Sequence, residues 1–575
     1  MFCDTRYKDL WKDRSLVDIS PKLKGFPEKE LATIPSIEGQ CLRPLRTTAL
    51  GQPYSGTNAV ALATHDYRIL DLGVNRTGFI GARVTCAKKA RLWFLFDEIL
   101  TKHDVDFKRL SCVNIVSYEL EPGSYRLETI EPYTFRYLKL LCVDGSCSVE
   151  NVYLREYAHP RVEAQFAASD PRLNRIFAAG VETFRQNALD IFMDCPSRER
   201  AGWLCDSFFT SRVAVDLAGD TRVERNFVEN FLLPAKFAFL PDGMLPMCYP
   251  ADHNDGVYIP NWALWFVAEL EEYNARSGDR ATVEALRPRV LKLFDFFKRY
   301  ENQDGLLEKL PSWVFVEWSA AADFVQDVNY PSNMLYAGVL SAAGRMYHLP
   351  ELVAKADRIR EVIRRQSFDG HFFVDNAVRS KAGKLKVTRN RTEVCQYYAF
   401  FFQVATPKTH PELWGILRDQ FGPNRKKTKA FSEIHLANSF IGNMLRMELL
   451  SRAGLSRQIL EESIAYLLYM ADRTGTLWEN TEASASCDHG FASHIVHTLY
   501  RDVLGIRQID RLGRRVAIQF ADVPLEHCEG TLPTPQGPIR LQWRKAGDQI
   551  VYQLHAPKGY RVTITNRSGK QLVAQ

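Results

Sequence analysis

The stretch DCPSRERAGWLCD, from Asp194 to Asp206, gathers Asp194, Arg198, Glu199, Arg200, Trp203 and Asp206 into one short segment. A linker between two helices needs only a few Gly, Asn, Ser or Pro residues, and a solvated run of paired charges needs no tryptophan. Three further stretches repeat the combination of carboxylates and indoles: LPDGMLPMCYPADHNDGVYIPNW (Asp242, Asp252, Asp255, Trp262), LPSWVFVEWSAAADFVQDVNYPSN (Trp313, Glu317, Trp318, Asp323, Asp327) and RTGTLWENTEASASCDHGF (Trp478, Glu479, Glu482, Asp488, His489). Acids and ring-stacking faces that converge on one cleft suit the cleavage of an acetal. One carboxylic acid protonates the leaving oxygen, and a second carboxylate activates water or attacks carbon. That chemistry requires no metal and no organic cofactor, and none is expected. The sequence carries no phosphate-cradling glycine loop, no nucleophile elbow and no metal-binding histidine pair. His489 reads equally well as a sugar contact and as a hydrogen-bonded structural histidine.

These stretches fall between segments of helical period. Upstream of the first, Asp170 and Pro171 predict an N-cap and a proline in the first turn, followed by Leu173, Ile176, Phe177, Val181 and Phe184 along one face. Downstream, Phe208, Phe209, Val213 and Leu217 start another face that breaks at Gly219. About twelve such amphipathic segments run from Asp170 to Leu504, with no convincing strands among them. Joined alternately by short turns and long loops, they predict six hairpins closing into an all-α (α/α)6 barrel, with the long loops gathered at one end. From Tyr67 to Tyr157, and again after Gly505, short alternating runs broken by turn residues predict β-sandwiches. The expected organisation is therefore multidomain: a β-sandwich over 51–160, the barrel catalytic domain over 161–505 and a C-terminal β-sandwich over 506–575, with 1–50 unplaced.

A chain of 575 residues with a net charge of +6 is too long for one core and too nearly balanced to announce nucleic acid as a partner. Its main basic run, NRKKTKAF from Asn424, has no accompanying aromatic stripe and reads as a solvated loop. No apolar window reaches membrane-spanning length, and the start has no signal-like apolar core. As written, the chain is expected in the cytoplasm; a true start further upstream would make it periplasmic or secreted. The 12 cysteines are scattered, with no Cys-x-x-Cys pair or zinc spacing, and are expected to be mostly reduced core residues.

DCPSRERAGWLCD resembles the signature loop of the α-L-rhamnosidases of glycoside hydrolase family 78. LDLGVNRTGFIGARV, from Leu70, is similar to the strands preceding that family's barrel, and DGMLPMCYPAD and GTLWE resemble two later loops, all in the family's order. The resemblance implies an (α/α)6 catalytic barrel and an inverting attack on terminal α-L-rhamnosides. It implies Glu199 as general acid and Glu479, after Trp478, as general base, with Asp194, Arg198, Trp203 and Asp206 binding the sugar. Trp262, Trp313, Trp318, Trp478 and His489 complete the expected carbohydrate site, and at least one of Arg198 and Arg200 is expected to pair with Asp194 or Asp206. Leu204 and Cys205 stand where Thr-Gly is usual, and the stretch from Glu479 to His489 is shorter than in the family. The additional N-terminal modules of many members, and a separate carbohydrate-binding function, are not expected. Two alternatives stay open: another (α/α)6 exo-glycosidase acting on a glucoside, fucoside or uronide, and an inactive sugar-binding protein on the same fold.

Overall fold

In a computed structural model of the chain, residues 59–160, 162–251, 253 and 255–575 are described, together with the backbone of the two-residue strands at 41–42 and 46–47. Asp252, counted above among the loop acids, lies outside the described residues, as does most of the segment before residue 59.

The first part of the chain is antiparallel β. The 20-residue strand Tyr67–Cys86 changes partners along its length. Its first half pairs with Tyr133–Asp144 and its second half with Ser146–Glu156 and Gly123–Glu128, so a single nine-stranded sheet bends over one core instead of splitting into two. Leu70, Ile80, Val84, Phe94, Leu140 and Leu154 fill that core.

Helices follow: α1 (Pro171–Asn187), α2 (Leu204–Ala218), α3 (Arg222–Asn230), α4 (Pro260–Ser277), α5 (Arg280–Lys298), α6 (Tyr330–Met346), α7 (Pro350–Ser367), α8 (Glu393–Phe401), α9 (Pro411–Asp419), α10 (Arg425–Thr428), α11 (Ile441–Ala453), α12 (Ser456–Thr474) and α13 (Ile495–Thr498). α13 continues tight turns at Gly490–His494 and runs on as a wide turn over Leu499–Leu504. The predicted entry holds: the Asp170 carboxylate accepts from the Arg172 N–H, Pro171 opens α1, and α2 stops at Gly219. α2, α4, α6, α8 and α11 are buried on nearly every side, while α5, α7 and α9 bury one apolar stripe, which separates an inner from an outer layer. Within the inner layer α2 packs on α4, α4 on α6, α6 on α8 and α8 on α11. The run from Gly490 to Thr498 lies against α2, and its His494 reaches α11.

One element departs from the sequence expectation. Val328–Asn329, Asn376–Arg379 and Leu385–Val387 form a small antiparallel sheet between helices. Its strands are two to four residues long, too short for alternation to register. The C-terminal region has two sheets, one of five strands and one of three, facing each other through rings such as Phe520 and Tyr552, 4.9 Å apart. The five-stranded sheet recruits Gln165–Ala168, from just before α1, against His527–Leu532.

The inner layer also carries charge. Arg212 of α2 lies 2.5 Å from Glu272 of α4 and 3.2 Å from Glu448 of α11, and Glu448 in turn meets Arg501 at 2.9 Å and His494 at 3.2 Å. Burial by itself would raise the Glu448 pKa, but Arg501 and Arg212 outweigh it and hold the carboxyl well below its ordinary range. Glu448→Gln would leave two buried guanidiniums short of a counter-charge, a change that costs about 3–5 kcal/mol when one member of a buried pair is removed. The urea midpoint of the helical region, followed by tryptophan fluorescence, should fall accordingly; an unmoved midpoint would mean that apolar packing alone joins α2 to α11.

Candidate active site

The first acid loop is built by its own backbone. The Asp194 N–H donates to the Ala201 carbonyl at 3.0 Å, and the Ala201 N–H donates back to Asp194 Oδ1 at 3.0 Å, closing the residues between them into a compact turn. Gly202 is required where the loop passes the next one: a Cβ there would sit 2.6 Å from the Tyr249 carbonyl oxygen. Hydrogen bonds from Leu204 N–H to the Met247 carbonyl and from Tyr249 N–H to the Gly202 carbonyl then seam the two loops. Trp203 precedes α2, whose first turn carries Asp206.

The second acid loop leaves α12 at Gly475, which caps the helix in the left-handed conformation at φ 71°. Leu477 N–H donates to the Thr183 hydroxyl of α1, and Thr476 donates to the Cys487 carbonyl. Glu479 N–H donates to the Ser486 carbonyl at 3.0 Å, and Ser486 N–H approaches Glu479 Oε2 at 3.4 Å. The loops meet where the Gly490 N–H donates to the Asp194 carbonyl at 2.7 Å.

Between them lies a cleft of about 240 Å³. Arg198 Nη2 stands 3.0 Å from Glu199 Oε1 and 3.6 Å from Glu479 Oε2, so one nitrogen bridges both glutamates. Burial raises the Glu479 pKa, opposed mainly by Arg198. Asp194 is pushed up to about 8 by burial and by Glu199, and Asp206 is pushed well up by burial with Asp194, Glu479 and Glu199 adding to it. Burial also holds His489 well below its ordinary value, and it stays neutral. Its Nδ1 lies 3.4 Å from Asp206 Oδ1, but too poorly aligned for a hydrogen bond. Asp194 Oδ2, Asp206 Oδ1, Trp203 Nε1, Arg198 Nε and His489 Nδ1 are all buried with no hydrogen-bond partner among the described residues. Such atoms are costly to leave unmet, and a polyhydroxylated ligand would meet them.

The opposite wall is aromatic. Trp262 packs edge-on against Phe315 at 4.9 Å, Phe315 against Trp318 at 4.8 Å, and Trp313 and Trp318 stand at the rim, 37% and 43% exposed. The cleft thus brings together Glu199, Glu479, Asp194, Arg198, Trp203, Asp206, Trp262, Trp313, Trp318 and His489. Trp478 is not among them. Its indole is 1% exposed and donates to the Thr474 hydroxyl at 2.8 Å, which makes it the floor under the Glu479 loop. The expected pairing of Arg198 or Arg200 with the aspartates is also overturned. Arg198 takes the two glutamates, and Arg200 turns outward to the Pro132 and Pro196 carbonyls, while burial raises the pKa of both aspartates. Of the other loop acids, Asp242 pairs with Lys292 on the surface, Asp488 is tied to Asn187, and Glu317 is buried against the Gly442 N–H. Met247, His253, Ile259, Phe315 and Phe440 also line the cleft and were not anticipated. For Phe315 a signal existed: in Trp313–Val314–Phe315–Val316 the aromatic residues alternate with aliphatic ones, and the two valines turn away into the core.

Residues 161–503 match the family described as the bacterial alpha-L-rhamnosidase 6 hairpin glycosidase domain. The chain belongs to this family, the glycoside hydrolase family 78 α-L-rhamnosidases. An alpha-L-rhamnosidase of Alteromonas sp. (strain LOR) is 21% identical over 541 residues, 86% of this chain and 55% of that protein. The crystal structure of a GH78 family rhamnosidase of Bacillus sp. GL1 shares the fold with a TM-score of 0.78 at 21% identity, over 91% of this chain and 56% of that one. A rhamnosidase from Klebsiella oxytoca with rhamnose bound shares it with a TM-score of 0.64 at 18% identity, over 82% of this chain and 96% of that one. This chain spans about half the length of the Alteromonas and Bacillus rhamnosidases. The shared fold is multidomain, with helical and β-sheet parts.

The raised Asp194 pKa has a consequence for stability. Unfolded, the carboxyl ionises near its ordinary 3.8; folded, it keeps its proton up to about 8. Its contribution is therefore complete below the unfolded value and is lost as pH rises through the folded one. Asp194→Asn, which imitates the protonated form, should lose less Tm between pH 5 and pH 8 than the parent chain; parallel Tm profiles would show that Asp194 is ionised in the fold.

Proposed function

We propose that the chain is an inverting glycoside hydrolase that releases terminal, non-reducing α-L-rhamnose, acting from the loop end of an (α/α)6 barrel. The observation that carries this reading is the pair of glutamates, Glu199 and Glu479, sharing one guanidinium at the mouth of a cleft lined with unmet polar atoms. Because the same Arg198 nitrogen touches both, the two nearest carboxylate oxygens are separated by at most the sum of those two contacts. That bound admits both the roughly 5–5.5 Å spacing of retaining enzymes and the lower end of the roughly 6.5–9.5 Å spacing of inverting ones, so the anomer released decides between them.

In the proposed mechanism Glu199, on the more open side, delivers its proton to the glycosidic oxygen. Glu479, whose burial favours the proton and whose contact with Arg198 favours the charge, takes a proton from water as that water attacks the anomeric carbon. An entering glycosidic oxygen takes the place of Arg198 at Glu199, which gains its proton from solvent as the guanidinium is left to the base. The protonated Asp194 and Asp206 donate to sugar hydroxyls, and Trp203 offers its indole N–H to a third. Volume and polarity support the choice of sugar. A cleft of about 240 Å³ is small beside the roughly 300–1,000 Å³ of typical ligand pockets and suits one ring. Met247, Ile259 and Phe440 supply an apolar surface for a 6-methyl group. Among the described lining residues the one lysine or arginine is Arg198, already engaged by the glutamates, so a uronate carboxylate would find no free guanidinium or ammonium waiting.

The two glutamates separate by leaving group. Glu199→Gln should lose about 10²–10⁴-fold in kcat/KM on a natural rhamnoside, and much less on an activated aryl rhamnoside, whose leaving group departs without a proton. Glu479→Gln should slow both substrates alike. Proton NMR of the first-formed sugar should show the β-anomer. Equal losses for Glu199→Gln on good and poor leaving groups, or retention of the α-anomer, would falsify the assignment.

A further inference from the structure

The loop that carries Glu479 is held from outside the helical region. Arg109 lies between the short strand Asp104–Val105 and the strand Ile115–Leu120 of the N-terminal sheet region, and its side chain is 6% exposed. Its Nε donates to both Asp97 oxygens at 3.0 and 2.9 Å, and Nη2 donates to Glu98 Oε2 at 2.7 Å. The remaining nitrogen, Nη1, crosses to the second acid loop and donates to the Ala483 carbonyl at 3.0 Å and the Ala485 carbonyl at 2.7 Å. Glu98 Oε2 accepts in addition from the Cys487 N–H at 3.0 Å, while Oε1 accepts from Asn75. The backbone is thus gripped on both sides of Ser486, the residue whose carbonyl and N–H meet Glu479. Between Asn480 and Ser484 the same loop is partly open to solvent, so its own packing does not fix it.

We infer that Arg109, with Glu98, is a positioning residue for the reaction: a clamp in the β-sheet part of the chain that sets where the Glu479 carboxylate stands in the cleft. The inference rests on the reading of Glu479 as the general base. Nothing in the clamp touches the substrate site; it acts through the backbone of 483–487. The geometry has the properties such a role needs. A guanidinium can hold two carbonyls on one nitrogen while two buried carboxylates fix its other two, and an ammonium cannot reproduce that fork. The separation of 374 positions between Arg109 and Ala483 shows that this is a long-range tie, not a local turn. A misplacement of about 1 Å in a reacting group can cost on the order of 100-fold in rate. The clamp also keeps water from the inner side of the loop, where burial raises the Glu479 pKa. The groups facing Glu479 are Arg198 and Glu199 from the first acid loop, Asp206 from α2 and Trp318 from the aromatic wall, and none of them belongs to the clamp.

The test uses the full chain with Arg109→Lys, Arg109→Met and Glu479→Gln, assayed on an activated aryl rhamnoside and on a rhamnoside with a poor leaving group. Arg109→Lys keeps a charge against Asp97 and Glu98 and should hold Tm near that of the parent. Its kcat should fall roughly 10- to 100-fold on both substrates, with KM within about twofold. As the loosened loop admits water, the Glu479 pKa should drop, and the acid limb of the kcat profile should move to lower pH. An unchanged kcat per folded molecule in Arg109→Lys, or a loss confined to KM, would overturn the inference. Because Arg109→Met strips the counter-charge from buried Asp97 and Glu98 and so threatens folding, amide hydrogen exchange of the unaltered chain supplies a second arm: Cys487 N–H should be protected, and exchange at the rate of an exposed loop would also overturn it. Full activity in Glu479→Gln would instead refute the reading of Glu479 as base and leave the clamp's geometry untouched.

Discussion

Four carboxyl groups, from Asp194, Glu199, Asp206 and Glu479, crowd one cleft around a single guanidinium, and they cannot all be ionised there. The arrangement resolves this by depth. The two aspartates, 2% and 3% exposed, keep their protons, while Arg198 is aligned on the two glutamates. A site of this kind therefore holds two buried carboxyls whose protonated form is favoured beside two glutamates bridged by one guanidinium, from residues of nearly the same chemistry. Environment makes the difference: the distance of each carboxyl from water and from one arginine.

That division depends on a seam between parts of the chain almost 300 residues apart. The Asp194 carbonyl accepts from the Gly490 N–H, and the first and last helical runs of the inner layer lie side by side. The same closure carries the pairing of Arg212, Glu448 and Arg501 between the middles of α2 and α11, so acid–base pairing occurs at a second place in the layer. There each of the three charged groups meets an opposite charge at 3.2 Å or closer.

Much of this is legible in the sequence, and the limits have physical causes. Asp170, Pro171 and Gly219 act locally, through a cap, a fixed φ and a left-handed terminus, and the structure agrees with their reading. The acid-and-indole loops are visible because charged residues beside tryptophan are unusual in a linker, and ten of the residues they nominate share one cleft. Trp478 was misplaced because adjacency to Glu479 says nothing of direction: successive residues in an extended loop point opposite ways, and Trp478 points inward. The Arg198 pairing was misjudged because a linear sequence gives the number of charges but not their depth, and depth decides which acids ionise. Apolar lining residues such as Met247, Ile259 and Phe440 look like core residues until the cleft is drawn around them. The clamp made by Arg109 is invisible to any local reading, since the carbonyls it holds in the second acid loop lie more than three hundred positions away.

The strand Gln165–Ala168 enters the chain before α1 yet pairs with His527–Leu532, beyond the last helix. On a ribosome, that strand emerges with its neighbour still hundreds of codons from being made. Its exposed edge must wait through the synthesis of the helical region, and the pairing of Asp194 with Gly490 must wait nearly as long. Contacts of such large sequence separation are slow to form and leave unpaired strand edges exposed to aggregation meanwhile. Assembly of the cleft thus waits on synthesis of the whole helical region: it becomes whole only once Gly490 has left the exit tunnel.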